Sequence, residues 1–171
     1  TLFDPAPRPG AGPVYDPSQP DYLLMNFVAG LIDAWDRSFA SNAQRPSLVD
    51  WLARTNSASA DPGAYVPRAT VGRYLMACYE ILARGLPANV HLVHRQAFVD
   101  EVSRCEARWQ IAGAGHTDRA DEVLITTGHQ AWQSKPGARP VSVFPAARLA
   151  GHDDTPGAAL RCKGFGLTFI D

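Results

Sequence analysis

Between Pro67 and Gly85, apolar residues recur every three or four positions: Val71, Leu75, Cys78 and Leu82. That period matches the turn of an α-helix and predicts one over 67–84. Pro67 can occupy the first helical position, and Gly85 can end the helix in a left-handed cap. In Pro46–Arg54, Leu48, Trp51 and Leu52 fall at helical spacing and predict a shorter amphipathic helix. The run YLLMNFVAGLIDAW at 22–35 is strongly apolar, but Gly30 interrupts any helix there; it is expected either to cover a ligand or to pack into the core.

Strand-like runs follow the long helix at Val90–His94, Ala97–Val102 and Ala107–Ala112, with a turn at GAGH, 113–116. They predict a small antiparallel meander, about 89–112. Glu122–Thr126 is a continuous apolar run of the kind buried in a parallel sheet. Residues 130–156 read as loop with one short strand at 140–144, and Ala159–Lys163 reads as a strand running into a glycine turn. Thr1–Asp4 reads as the end of a strand. The absence of an opening Met, and a chain that stops just after a glycine motif, give the expectation of a domain incomplete at both ends.

Composition narrows the class. Apolar residues are 46% and charged residues 19% of 171, as in a soluble globular domain rather than a disordered one. The net charge of -1 and the lack of a basic stripe argue against nucleic acid as a partner. No apolar run approaches the roughly 20 residues of a membrane span. Cys78, Cys105 and Cys162 are odd in number and far apart, without metal-site spacing. Buried free thiols in a reducing, cytoplasmic setting are expected, and no metal.

Four local features carry candidate chemistry. Asp4 stands at a strand end, where a carboxylate accepts from a ribose hydroxyl in dinucleotide-binding folds, or simply forms a turn. PAPRPGAGPVYDPSQP at 5–20 holds six prolines and two glycines. Gly10 and Gly12 there allow close backbone approach to a ligand or a positive φ. In VLITTGH, Thr127 and Gly128 end the expected buried strand, where the chain must turn beside a cofactor, and His129 is a contact candidate or a solvent-exposed loop residue. In GFGLTFID, Gly164 and Gly166 begin a phosphate-cradling turn, but Ile170 stands where the third glycine would fall. Arg68 opens the long helix at the unfavourable end of its dipole. A cofactor phosphate, an anionic substrate or Asp61 would compensate it.

Taken in order, GAGPVY at 10–15, LLMN at 23–26, YVPRATVGRYL at 65–75, TTGH at 126–129 and GFGLTFID resemble the FAD-NAD(P)-binding family. That family includes urate-hydroxylase-like flavoproteins and is more distantly similar to lysine and ornithine N-monooxygenases. YVPRATVGRYL is the most specific of these stretches. The resemblance implies an α/β, Rossmann-like three-layer domain binding FAD, with NAD(P)H as electron donor and a helical insert at about 21–66. It implies Asp4 at the ribose, Asn26 near the isoalloxazine ring, the backbone of Phe98 at the adenine and Gly128 against the far side of the cofactor. It would place the main pyrophosphate-binding turn before Thr1. The implied activity is that of an FAD-dependent oxidoreductase, in one form a monooxygenase hydroxylating a small substrate. A non-catalytic FAD or adenine-nucleotide module that regulates or scaffolds a partner, and a reductase that does not use oxygen, stand as alternatives.

Overall fold

Ser47 begins the first helix by closing a capping box. Its hydroxyl accepts from the Asp50 N–H at 3.2 Å, while Asp50 Oδ2 accepts from the Ser47 N–H at 3.1 Å. Two backbone donors that the helix cannot satisfy internally are thereby paired. The computed structural model describes residues 1–36, 45–55 and 60–127. Its elements are β1 (Leu2–Phe3), α1 (Leu48–Arg54), α2 (Arg68–Arg84), β2 (His94–Arg95), β3 (Glu101–Cys105), β4 (Arg108–Gly113) and β5 (His116–Ala120), with a 3-10 turn at Ala29–Leu31. The expected strands at 140–144 and Ala159–Lys163, the glycine turn at 164–166, Gly128, His129 and Cys162 lie outside the described residues.

Among the described residues the chain divides into two units: one of Thr1–Pro9 and residues 83–127, the other of residues from Gly10–Leu82. The second holds the hydrophobic core. Leu48 and Leu52 on α1 meet Val71, Tyr74 and Cys78 on α2, together with Ala29 and Val66. The spacing that predicted both helices is the spacing of these buried positions. Burial of each large aliphatic side chain contributes about 1.5–3 kcal/mol. Trp51 sits with its ring centroid 6.0 Å from that of Tyr74, in a tilted arrangement favourable for aromatic pairs.

Two details of the helix reading change. Leu82, the last member of the expected apolar stripe, is exposed. Gly85 is not among the glycines with positive φ, so α2 ends without a left-handed cap. Pro87, two residues on, cannot continue the helix, which is sufficient to stop it.

The apolar run at 22–35 packs along the core as an extended ribbon. The Met25 N–H donates to Val66 O, Ala29 N–H to Ala64 O and Gly30 N–H to Pro62 O, at 2.8–2.9 Å. Leu24 bridges Pro67 in antiparallel fashion. Leu23 and Ala29 are buried, whereas Tyr22, Phe27 and Leu31 face outward. Tyr74 closes the far end of this ribbon. Its hydroxyl accepts from the Ala34 N–H at 3.1 Å and donates to Pro46 O at 2.9 Å.

In the other unit, β1 and β2 pair in parallel, Leu2 opposite His94 and Phe3 opposite Arg95. The second sheet is the antiparallel meander β3-β4-β5. Thus the run Val90–His94 does not open the meander; its last residue joins β1 instead, and the meander lies at 101–120. The β4–β5 turn places both Ala114 (φ +49°) and Gly115 (φ +76°) in the left-handed region. Such a two-residue turn matches the right-handed twist of the strands. Arg95 and Asp118 form a bidentate pair, Nε to Oδ2 at 2.7 Å and a second N–H to Oδ1 at 3.1 Å, tying β2 to β5. The buried parallel strand expected at Glu122–Thr126 is not formed among the described residues. No described strand pairs with it, and Leu124 is 88% exposed. An apolar run becomes a buried strand only where neighbours supply ladder partners on its edges and cover on its faces. The described fold therefore combines a parallel pair, an antiparallel meander and two helices.

Candidate cofactor-binding site

Asp4 follows β1 directly and is fixed on three sides. Its N–H donates to Arg95 O at 3.1 Å, and its Oδ1 accepts from the Ala6 N–H at 2.8 Å. The His94 ring nitrogen Nε2 lies 3.0 Å from its carbonyl oxygen. Oδ2 has no donor among the described residues. A carboxylate at the carboxyl end of a parallel pair, with one oxygen held and one available, has the donor-accepting chemistry that a ribose hydroxyl needs.

Beside this strand end is an open cleft of about 300 Å³, bounded by Phe3, His94, Gln96, Ala97 and the turn residues Gly113 and Ala114. That volume is at the lower end of the range for small-molecule pockets. The Phe98 side chain is exposed, and its carbonyl packs directly on Gly113: a Cβ there would overlap the Phe98 oxygen and lie 3.1 Å from its carbon. Asp4 and the backbone leading to Phe98 thus belong to one unit and flank one strand end. Thr127 is exposed at the end of the described residues.

The remaining described candidates lie in the other unit. Gly10 takes φ +123°, and a Cβ on it would stand 2.9 Å from Leu75 O and 3.1 Å from Met76 Cα. Its lack of a side chain serves packing against α2. Gly12, at φ +60°, has open space around it. Both glycines are exposed, but only Gly12 has free space where a Cβ would stand.

Arg68 is buried, 5% exposed. Its Nε donates to Leu24 O at 3.0 Å, and its N–H to Leu23 O at 2.8 Å. Those bonds hold the ribbon that presents Asn26, which is exposed two residues later. Asp61 closes its own turn, accepting from the Gly63 N–H at 2.8 Å.

Three residues of weight here were not singled out from the sequence as sites. Gly72 lies inside α2, where a Cβ would overlap Tyr15 O and stand 2.9 Å from the Tyr15 carbon. The stretches GAGPVY and YVPRATVGRYL, distant in sequence, are therefore in backbone contact. A glycine inside a strong helical pattern was the available signal. Gly113 was readable only as a turn residue, and nothing in the sequence pairs His94 with Asp4.

Titration is displaced at Tyr74 and Cys78. Burial pushes the Tyr74 phenol far above the usual tyrosine range, while the hydrogen bond from Ala34 opposes this. Burial likewise raises the Cys78 thiol, opposed by its hydrogen bond with Tyr74. Both are core groups kept neutral. Cys78 and Cys105 are free thiols, but only Cys78 is buried; Cys105 lies on a two-sided hairpin and is partly exposed, contrary to expectation. No group of three or more potential metal ligands occurs among the described residues.

The family model for FAD-NAD(P)-binding proteins matches residues 1–130. The chain belongs to this FAD-NAD(P)-binding family. Its cofactors are accordingly FAD and NAD(P)H. The Asp4 carboxylate, with one oxygen held by the Ala6 N–H and the other without a donor among the described residues, has the chemistry to accept from a cofactor hydroxyl. Over 99% of its length the chain is 30% identical to an L-aspartate N-monooxygenase (nitrosuccinate-forming) of Streptomyces cremeus. Over 99% it is 26% identical to a nitrosuccinic acid synthase of Aspergillus oryzae. The chain spans 31% and 29% of the length of these two relatives.

Proposed function

We propose that this chain is the cofactor-binding part of an FAD-dependent, NAD(P)H-using N-monooxygenase whose substrate is the amine of a small amino acid. The observation that carries this reading is the alignment of 99% of the chain with two relatives whose names both specify a nitrosuccinate product. One of those names also specifies L-aspartate as the amine oxidised. When bound, FAD supplies the redox chemistry, accepting reducing equivalents from NAD(P)H and activating oxygen.

The residues of this chain bind and orient. Asp4 accepts from the adenosine ribose, and the backbone at Phe98 meets the adenine edge. Gly12 gives backbone access on the loop, Asn26 offers its amide to the polar edge of the ring system, and Arg68 holds the ribbon carrying Asn26. Gly10 belongs to the same loop but acts by packing on α2. Thr127, Gly128 and His129 lie against the cofactor from the other side, and Gly164 and Gly166 begin the turn for a second nucleotide. The fold we assign to the complete domain is Rossmann-like and three-layered, with the parallel β1–β2 pair as its described portion. The free thiols of Cys78 and Cys105 support a reducing, cytoplasmic setting. No helix among the described residues is long and apolar enough to cross a membrane.

The test uses the full-length protein. It is expected to purify with flavin absorbance, to be bleached anaerobically by NADH or NADPH, and to reoxidise in air with oxidation of the amine of an amino acid such as L-aspartate. A colourless protein that takes up no added FAD would overturn the reading. Bleaching without amine oxidation across small amino acids would replace the monooxygenase with a reductase. FAD binding without bleaching by either nicotinamide would favour the scaffolding module.

A further inference from the structure

We infer that His94 is a positioning residue for Asp4, fixing the strand end from which the carboxylate presents Oδ2 to a ribose diol. The inference rests on the reading of Asp4 as the ribose acceptor. Its basis is the way the β1–β2 ladder ends. Leu2 N–H donates to Val93 O at 2.8 Å and Asp4 N–H to Arg95 O at 3.1 Å, the regular spacing of a parallel pair. The next bond of that series would run from the Ala97 N–H to Asp4 O. Instead the Ala97 N–H turns back to Arg95 O at 2.8 Å, so the backbone leaves the Asp4 carbonyl without its ladder partner.

His94 takes that place from the side: its Nε2 is 3.0 Å from Asp4 O. A carbonyl oxygen only accepts, so Nε2 carries the proton. The next β1-side donor of the ladder, the Ala6 N–H, turns to Asp4 Oδ1 at 2.8 Å, so the ladder does not continue past Asp4. With β1 only two residues long, the ring is the one side-chain tie on the Asp4 backbone among the described residues. It is partly buried on β2 and fixes the peptide plane after Asp4, while Ala6 N–H fixes Oδ1. Oδ2 is then aimed without further freedom. Precision of this kind affects binding of the hydroxyls more than overall stability.

The experiment compares the affinity of full-length apoprotein for FAD with its affinity for FAD analogues lacking one adenosine ribose hydroxyl. A hydrogen bond to a carboxylate makes the wild type discriminate by roughly tenfold or more. His94→Leu is expected to shrink that ratio to within about threefold, and His94→Gln, which keeps a donor near the Nε2 position, to retain it. Should the leucine variant fail to fold, His94→Asn, too short to reach the carbonyl, gives the same reading. A general loss of stability would weaken all ligands alike and leave the ratio unchanged. An undiminished ratio in His94→Leu, or a ratio in His94→Gln as small as in His94→Leu, overturns the positioning role alone. Equal affinities in the wild type overturn the ribose assignment of Asp4, and the inference with it.

Discussion

Gly72→Ala is a substitution whose local and tertiary effects have opposite signs. In a helix interior, exchanging glycine for alanine stabilises by about 1 kcal/mol through backbone entropy. On those grounds alone the variant would melt higher. At Gly72, however, the new methyl would overlap the carbonyl oxygen of Tyr15, lie 2.9 Å from its carbon and 3.3 Å from the Ala11 Cβ. Two of these three atoms are backbone, and Gly10 on the same loop already lies against Leu75 and Met76. No side-chain rotation relieves the clash.

An ordinary carbon–oxygen contact of about 3.3 Å requires the loop to move by something on the order of an ångström. Overpacking of this kind costs typically 1–3 kcal/mol, and a rigid backbone partner places it at the top of that range. The net result is a loss of about 2 kcal/mol, read as a fall in Tm of roughly 4–8 °C for a chain of this size. The measurement is thermal and urea unfolding followed by the fluorescence of Trp35 and Trp51, both in the same core. A Tm equal to the wild type, or raised by the helix-propensity gain, would refute the reasoning and with it the contact between the loop and α2.

Other consequences are smaller. Tyr74→Phe deletes a hydroxyl bonded to Ala34 and Pro46, leaving both backbone groups short of a partner. The expected loss is about 1–3 kcal/mol in urea unfolding, and an unchanged midpoint would contradict it. Ala114→Asn places a residue suited to left-handed conformations where φ is +49°, and should raise stability by about 0.5–1 kcal/mol; a lower Tm would count against the turn geometry. Cys78 should escape iodoacetamide in the native state, read by peptide mapping, because it is 6% exposed and its thiol is raised above the ordinary 9.0 by burial. The same shift makes the folded state hold its proton when the unfolded chain has lost it. Stability should therefore be level below pH 9.0 and decline above it, with Tyr74 adding to the decline above its ordinary 10.0; rising stability in that range would reverse the sign of the argument.

The sequence by itself determined the two helices, since Leu48, Leu52, Val71 and Cys78 are apolar at the period that one-sided burial demands. It also determined the strand end at Asp4 and the existence of a meander, because alternation and turn residues act over a few positions. The family was legible too, in motifs whose spacing survives without knowledge of contacts.

Tertiary structure decided the rest. Val90–His94 and Glu122–Thr126 are both apolar runs, yet among the described residues only the end of the first finds a strand, because ladder partners are supplied by distant chain. Gly10 and Gly12 look alike in sequence, but one is pressed on α2 and the other stands in open space. Gly72 and His94 owe their weight to a loop carbonyl and a strand end that are remote along the chain. A local pattern states what each segment prefers; which backbone group lies opposite it depends on how the whole chain returns.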